Sequence, residues 1–224
     1  MRIVILVFSF LFALFGMPPA KAQGTRNWTN TVAMLPTGGV GVGNPMARVQ
    51  LVEWASYTCS HCAAFARDAK PELTALIRSG RVRVEYRTLP RDALDLTAVV
   101  LARCGGPNRF LAAHDAIFAQ QQAMLDKAEA FAATPAAQQP TATIGKRLEQ
   151  LADATGLRVL LRGHGLDDAA MTRCLNDEAG QKRAIAIAEA AQAAGVDGTP
   201  SFAVNGKKVV AHDWATLKPF LTAS

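Results

Sequence analysis

The chain has 224 residues, half of them hydrophobic, and carries 24 Lys and Arg against 18 Asp and Glu, a net charge of +6. A chain of that length and apolar content can bury a core of its own, so disulfides are not required merely to fold it. The basic excess is modest and falls short of the charged footprint of a nucleic-acid binder.

The first 22 residues follow the plan of an export signal. Arg2 precedes an apolar run from Ile3 to Phe15, then Gly16, Pro18 and Pro19 break the pattern before Ala20-Lys21-Ala22. This predicts a signal peptide cleaved after Ala22. The alternative, an uncleaved anchor, needs roughly 20 apolar residues to span a bilayer, and this run has 13. Charged residues interrupt every later apolar stretch, so the mature protein is expected to be soluble, with a net charge of +4 once Arg2 and Lys21 are removed.

Residues 23–47 read as an N-terminal extension, loop-like through Pro36, Gly38, Gly39, Gly41, Gly43 and Pro45, with at most a short strand around Val40 to Val42. Val49 to Ala55 is a compact apolar run leading through Ser56-Tyr57-Thr58 into Cys59, after which helix-favouring residues continue to Lys70. Pro71 predicts a kink or restart before Ser79-Gly80 ends the helix. In Arg81 to Arg87, apolar residues alternate with charged ones, which predicts a strand with one wet face or a place near a sheet edge. The β-helix-β order implies a parallel pair.

From about Asp92 to Ala194 the pattern is helical, with no convincing strand and a connecting loop expected at Thr134 to Thr143. Ser201 to Val204 and Lys207 to Ala211 flank Asn205-Gly206, a strong hairpin signal, and Asp213 can cap a last helix. The expected class is therefore α/β. A β-helix-β half and a β-β-helix half (residues 48–91 and 195–224) share one sheet, and an all-helical insertion (residues 92–194) separates them.

Cys59-Ser60-His61-Cys62 lies where a buried strand turns into a helix. The partial positive charge and free N–H groups of a helix N-terminus favour a thiolate at the first cysteine. Cys59 is expected to be the exposed, attacking sulfur, and Cys62, one turn further in, the one that resolves a mixed disulfide. His61 adds a donor or a positive charge that stabilises the reduced pair. The competing reading, half a zinc site, lacks a second CxxC or a closely spaced Cys/His pair, so no metal is expected.

Val49 to Phe65 (VQLVEWASYTCSHCAAF), together with Gly198-Thr199-Pro200-Ser201-Phe202 and the upstream Gly41-Val42-Gly43-Asn44-Pro45, resembles the bacterial DsbA-like thiol:disulfide oxidoreductases of the thioredoxin superfamily. The resemblance covers nearly all the chain after Ala22. It implies a thioredoxin fold with a helical insertion, and a cis Pro200 against the cysteines with the Thr199 backbone free to pair with a substrate peptide. By base rate alone, Pro200 would be an ordinary trans proline. The resemblance also places Glu53 where such proteins often hold an acid beneath the active-site pair, able to exchange a proton with Cys62. Without it, Glu53 reads as a solvated strand residue, although Val52 and Trp54 argue for burial. Ser60 departs from the commonest motif of the family, which has proline there, and this leaves the redox potential open within the family range of roughly −270 to −120 mV.

Cys104 and Cys174 fall in the helical insertion, and in an oxidising compartment a structural disulfide between them is expected. Two buried free thiols or a second redox pair are the alternatives.

Three functions compete. The first is a monomeric periplasmic oxidase without cofactor that donates the Cys59–Cys62 disulfide to exported proteins with reduced cysteines. A membrane quinone-linked thiol oxidase resembling DsbB would recharge it. The second is an isomerase or reductase kept reduced by a membrane partner, although only 26 residues lie between Ala22 and Val49, too few for the dimerisation domain of the dimeric isomerases. The third is a non-enzymatic peptide-binding module, which fold alone does not exclude.

Overall fold

The computed structural model describes residues 26–222, so the export segment expected at residues 1–22, with its cleavage after Ala22, lies outside the described residues. A short 3-10 turn (Trp28–Asn30) leads into strands β1 (Val32–Met34), β2 (Val40–Val42) and β3 (Val49–Ala55); helix α1 (Ser60–Arg78) and strand β4 (Val82–Thr88) follow. Eight helices come next: α2 (Ala93–Cys104), α3 (Pro107–Ala119), α4 (Gln121–Ala132), α5 (Pro135–Gln138), α6 (Ile144–Ala154), α7 (Leu157–Gly163), α8 (Asp168–Leu175) and α9 (Glu178–Ala193). The chain then returns to the sheet with β5 (Ser201–Val204) and β6 (Lys207–Val209) and ends on α10 (Trp214–Thr222).

The sheet order is β1-β2-β4-β3-β5-β6. The apolar run of β3 makes it a central strand, parallel to β4 with Val49 opposite Val82 and Ala55 opposite Thr88, and antiparallel to β5 with Leu51 opposite Val204. Asn205 and Gly206 both have positive φ, the conformation a two-residue hairpin turn needs, and they join β5 to β6. Asp213 accepts the Thr216 N–H at 2.8 Å and so caps α10. The outcome is a thioredoxin-like α/β fold whose two β-containing parts flank a run of helices.

Four local expectations need correction. The segment before β3 contributes two strands, β1 being unforeseen because its three residues show no alternation long enough to read. For the same reason β4 is not an edge: β2 pairs with it antiparallel, and its charged face is half-buried, with Glu85 paired to Arg87 at 2.6 Å. Helix α1 does not restart at Pro71: the helix is continuous from Ser60 to Arg78, with Pro71 and Arg67, whose carbonyl loses its partner, both exposed. The stretch Thr134 to Thr143 holds the single turn α5, where the Thr134 side chain accepts the Ala137 N–H.

The larger core joins the buried sides of β3, β4 and α1 to the helical region through Tyr57, Phe65, Phe110, Ile117 and Leu161. A smaller cluster of Trp54, Leu89, Ile187, Ala191 and Val196 packs α9 against the opposite face. Among the described residues no helix is long and apolar enough to cross a membrane.

Candidate active site

Cys59 is the N-cap residue of α1, with extended backbone (φ −93°, ψ 116°), so its side chain stands where the first helical N–H groups are free. The turn that delivers it is held by hydrogen bonds from both sides. The Cys59 N–H reaches the Ser56 carbonyl at 3.2 Å and the Thr58 N–H reaches Ser56 Oγ at 3.2 Å. The Tyr57 N–H donates to Asp95 Oδ1 at 2.9 Å, and Ser56 Oγ donates to the other oxygen of the same carboxylate. From the other side, Gln121 Nε2 donates to the Tyr57 and Cys59 carbonyls, each at 2.9 Å.

The two sulfurs differ sharply. Cys59 is held down to about 4, chiefly by a hydrogen bond from the Cys62 thiol and, against a desolvation cost, by Thr199 and the N–H groups of Cys62 and His61. Cys62 is pushed far above the usual thiol range, first by its hydrogen bond to Cys59 and then by burial. At neutral pH this is one thiolate and one thiol, the asymmetry that exchange requires. Cys59 is less open than expected, with 7% of its surface exposed, while Cys62 is fully covered. Cys59 nevertheless lines a groove of about 710 Å³ with His61, Leu89, Arg91, Val196 and Thr199. Its Sγ lies 3.2 Å from the Thr199 carbonyl, and the Thr199–Pro200 peptide is cis.

The structure thus gathers Cys59, Cys62, His61, Thr199 and Pro200 at one place. Glu53 lines a different cavity from Cys59. It is 2% exposed on β3, with Oε1 free of any hydrogen-bond partner, and it lines a cavity of about 190 Å³ with Phe65, Tyr86, His114 and Asp115. Burial, with a contribution from Asp115, raises its carboxyl to about 8. No hydrogen bond joins it to either thiol, but Phe65, one helical turn beyond Cys62, borders the same cavity.

Cys104, the last residue of α2, is bonded to Cys174 of α8, with an S–S distance of 2.11 Å and Cα atoms 5.8 Å apart. Among the described residues no group of three or more His, Cys, Asp or Glu is arranged to hold a metal ion.

Sequence reasoning passed over Asp95, Gln121 and Arg91. Asp95 is wholly buried yet charged in type, and burial raises it to about 6 against the pull of its bonds to Ser56, Tyr57 and Arg91. Arg91 Nη2 donates to Thr58 Oγ1 at 2.9 Å. His114 is buried beside the Tyr57 hydroxyl at 2.9 Å and is lowered to about 4 by desolvation, so the ring is neutral.

Comparison with known proteins gives a consistent picture. The family model described as "Thioredoxin" matches residues 36–223. A relative from Rickettsia conorii, provisionally named a protein-disulfide oxidoreductase, is 33% identical over 170 residues, 74% of this chain and 52% of its own length. The chain therefore spans about half the length of the curated relatives it matches. A crystal structure of a protein-disulfide isomerase from Novosphingobium aromaticivorans is 32% identical, with a TM-score of 0.74 over 82% of this chain and 95% of that one. A crystal structure of alpha-DsbA1 from Wolbachia pipientis shares the fold, with a TM-score of 0.61 at 23% identity over 80% of this chain and 81% of its own.

Proposed function

The chain belongs to the thioredoxin family, and from the Cys59–Cys62 site set within that fold we propose that it is a thiol–disulfide oxidoreductase of the DsbA type that oxidises exported proteins. The observation that carries the reading is the asymmetry of the pair: a stabilised thiolate at the helix start beside a buried thiol. A stabilised reduced form makes the corresponding disulfide oxidising.

In the forward reaction a substrate thiolate attacks Cys59 Sγ of the disulfide form, and the electron pair of the broken S–S bond leaves on Cys62. Cys62 then takes up a proton, and the substrate is held on Cys59 as a mixed disulfide. A second substrate thiolate attacks the substrate sulfur of that bond and expels Cys59 as its stable thiolate. The substrate leaves with a disulfide, and the pair is left reduced by two electrons. Attack by Cys62 on the mixed disulfide instead returns the substrate unchanged. His61 adds a donor beside Cys59, and the Thr199 backbone, with Pro200 next to it, pairs with the substrate chain along the groove. Glu53, a buried carboxyl that holds its proton near neutral pH, serves the proton demand of Cys62.

The place of this reaction is the periplasm, after cleavage at Ala22, with the protein as a monomer recharged by a quinone-linked membrane oxidase resembling DsbB. The two thioredoxin-fold segments (residues 48–91 and 195–224) carry the chemistry, β1 and β2 of the N-terminal extension (residues 23–47) widen the sheet beside β4, and the insertion (residues 92–194) frames the site.

A second reading is favoured by the likeness to a solved protein named a disulfide isomerase. The test is to offer two substrates to the purified protein, one reduced and one with scrambled disulfides. Stoichiometric oxidation of the first by the disulfide form supports the oxidase. Reshuffling of the second by the reduced form, with feeble oxidation of the first, replaces it with the isomerase.

A further inference from the structure

We propose that Gln121, on the first turn of α4, is a positioning residue for exchange: its amide clamps the two carbonyls that flank Thr58 and so holds Cys59 against the donors at the start of α1. The inference rests on the exchange reading of the site and assigns to the helical insertion a share in setting its chemistry.

The geometry is specific. One side-chain nitrogen, on a residue only 5% exposed, donates both its protons, to the Tyr57 and Cys59 carbonyls at 2.9 Å each. Two carbonyl acceptors fix which end of the amide faces the turn, since the oxygen end would meet them as a third acceptor. The Cys59 carbonyl also receives the Cys62 and Ala63 N–H groups at 3.1 and 3.2 Å, so Gln121 ties the first helical turn to the turn before it. Asp95 grips the same segment on the opposite side through the Tyr57 N–H. With both carbonyls and the Tyr57 N–H held by the insertion, and the Thr58 and Cys59 N–H groups bonded back to Ser56, the Ser56–Cys59 segment has little freedom to rotate.

This rigidity bears on the sulfur because the thiolate is stabilised by short-range donors: the Cys62 thiol and the N–H groups of Cys62 and His61. Such bonds weaken steeply with misdirection. A turn freed from Gln121 lets Sγ leave their convergence point, which raises the thiol pKa and makes the disulfide less oxidising.

The insertion provides its own control. Gln181 of α9 is another buried amide, 4% exposed, whose Nε2 donates to the Leu175 carbonyl at 2.7 Å, within the helical region and remote in sequence from Cys59 and Cys62. Gln121→Met and Gln181→Met each remove a buried donor with little change of volume. Gln121 also borders a groove of about 520 Å³, so in Gln121→Ala water can reach the freed carbonyls; that variant keeps the comparison available if the methionine form folds poorly.

The experiment is titration of thiolate absorbance in the reduced proteins, alongside the equilibrium constant with glutathione and thermal melting. The expected result is a Cys59 midpoint higher by about one unit, and a glutathione equilibrium shifted several-fold toward the disulfide form, in both Gln121 variants. Gln181→Met should lose comparable stability with its midpoint unmoved. A Gln121 variant that melts earlier but keeps the wild-type midpoint, or equal midpoint shifts from Gln121→Met and Gln181→Met, would overturn the proposal. The midpoint is read without any substrate, so a wild-type protein inactive in exchange would refute the oxidase reading and leave this comparison standing.

Discussion

Two pairs of cysteines in one chain have opposite fates. Cys104 and Cys174 join the end of α2 to α8 as a disulfide, whereas Cys59 borders a groove with Cys62 buried one helical turn behind it, one sulfur ionised and the other held protonated. The difference lies in what surrounds the sulfur. Free N–H donors, a neighbouring thiol and a nearby open groove make a reactive site, while two packed helices with no such donors make a brace.

The change that breaks this comparison most completely is Cys59→Ser. Removing the attacking sulfur is expected to abolish exchange, by a factor on the order of a thousand or more in a reduced-substrate oxidation assay, with the fold intact by circular dichroism. Full activity in that variant would leave the family likeness without its chemistry. Cys62→Ser separates the roles within the pair. Offered a protein that carries a disulfide, its Cys59 thiolate attacks one sulfur and expels the other as a thiolate, and the resulting mixed disulfide is expected to accumulate as a thiol-sensitive adduct on non-reducing gels because Cys62 is not there to displace it; absence of any adduct contradicts the assignment.

Cys104→Ala with Cys174→Ala tests the brace. Closing a loop of about 70 residues stabilises by up to roughly 4 kcal/mol in a chain-entropy account, so denaturant melts should shift by that much or less while the Cys59 midpoint stays put. A moved midpoint would mean that the two pairs are coupled.

Glu53→Gln sharpens the contrast between buried groups. The folded carboxyl sits at about 8 against an ordinary value of 4.5, so between those pH values the folded state keeps a proton that the unfolded chain has released. Wild-type stability therefore falls as pH rises through that window, and the variant, free of this penalty, should gain on it by on the order of a few kcal/mol at pH 8 and by little at pH 4. Parallel stability curves for the two proteins would show that Glu53 is not desolvated.

The sequence made the reactive pair readable because its signals are local. The strand Val49–Ala55, the helix starting at Ser60 and the Gly198-Thr199-Pro200 turn are each written in contiguous residues. The clamp around them was not readable. Gln121 and Asp95 lie 62 and 36 residues beyond Cys59 in helices whose own pattern gives no reason to single them out, and only packing of the insertion against the turn brings them there. Strand β1 escaped for a related reason, since three residues on a half-exposed edge carry too little alternation to stand out from a loop. Cys104 and Cys174 were an intermediate case: their types and compartment suggested a bond, but their proximity is a property of the helical packing.

The most direct measurement is the reduction potential of Cys59–Cys62 against glutathione as a function of pH. With Cys59 ionised above about pH 4 and Cys62 protonated, reduction takes up one proton per two electrons, and the potential should fall by about 30 mV per pH unit through neutrality, at a value toward the −120 mV end of the family range. A slope of about 60 mV per unit, with a potential near −270 mV, would mean two protonated thiols at neutral pH and would contradict the assignment of Cys59 as the stabilised thiolate of an oxidase.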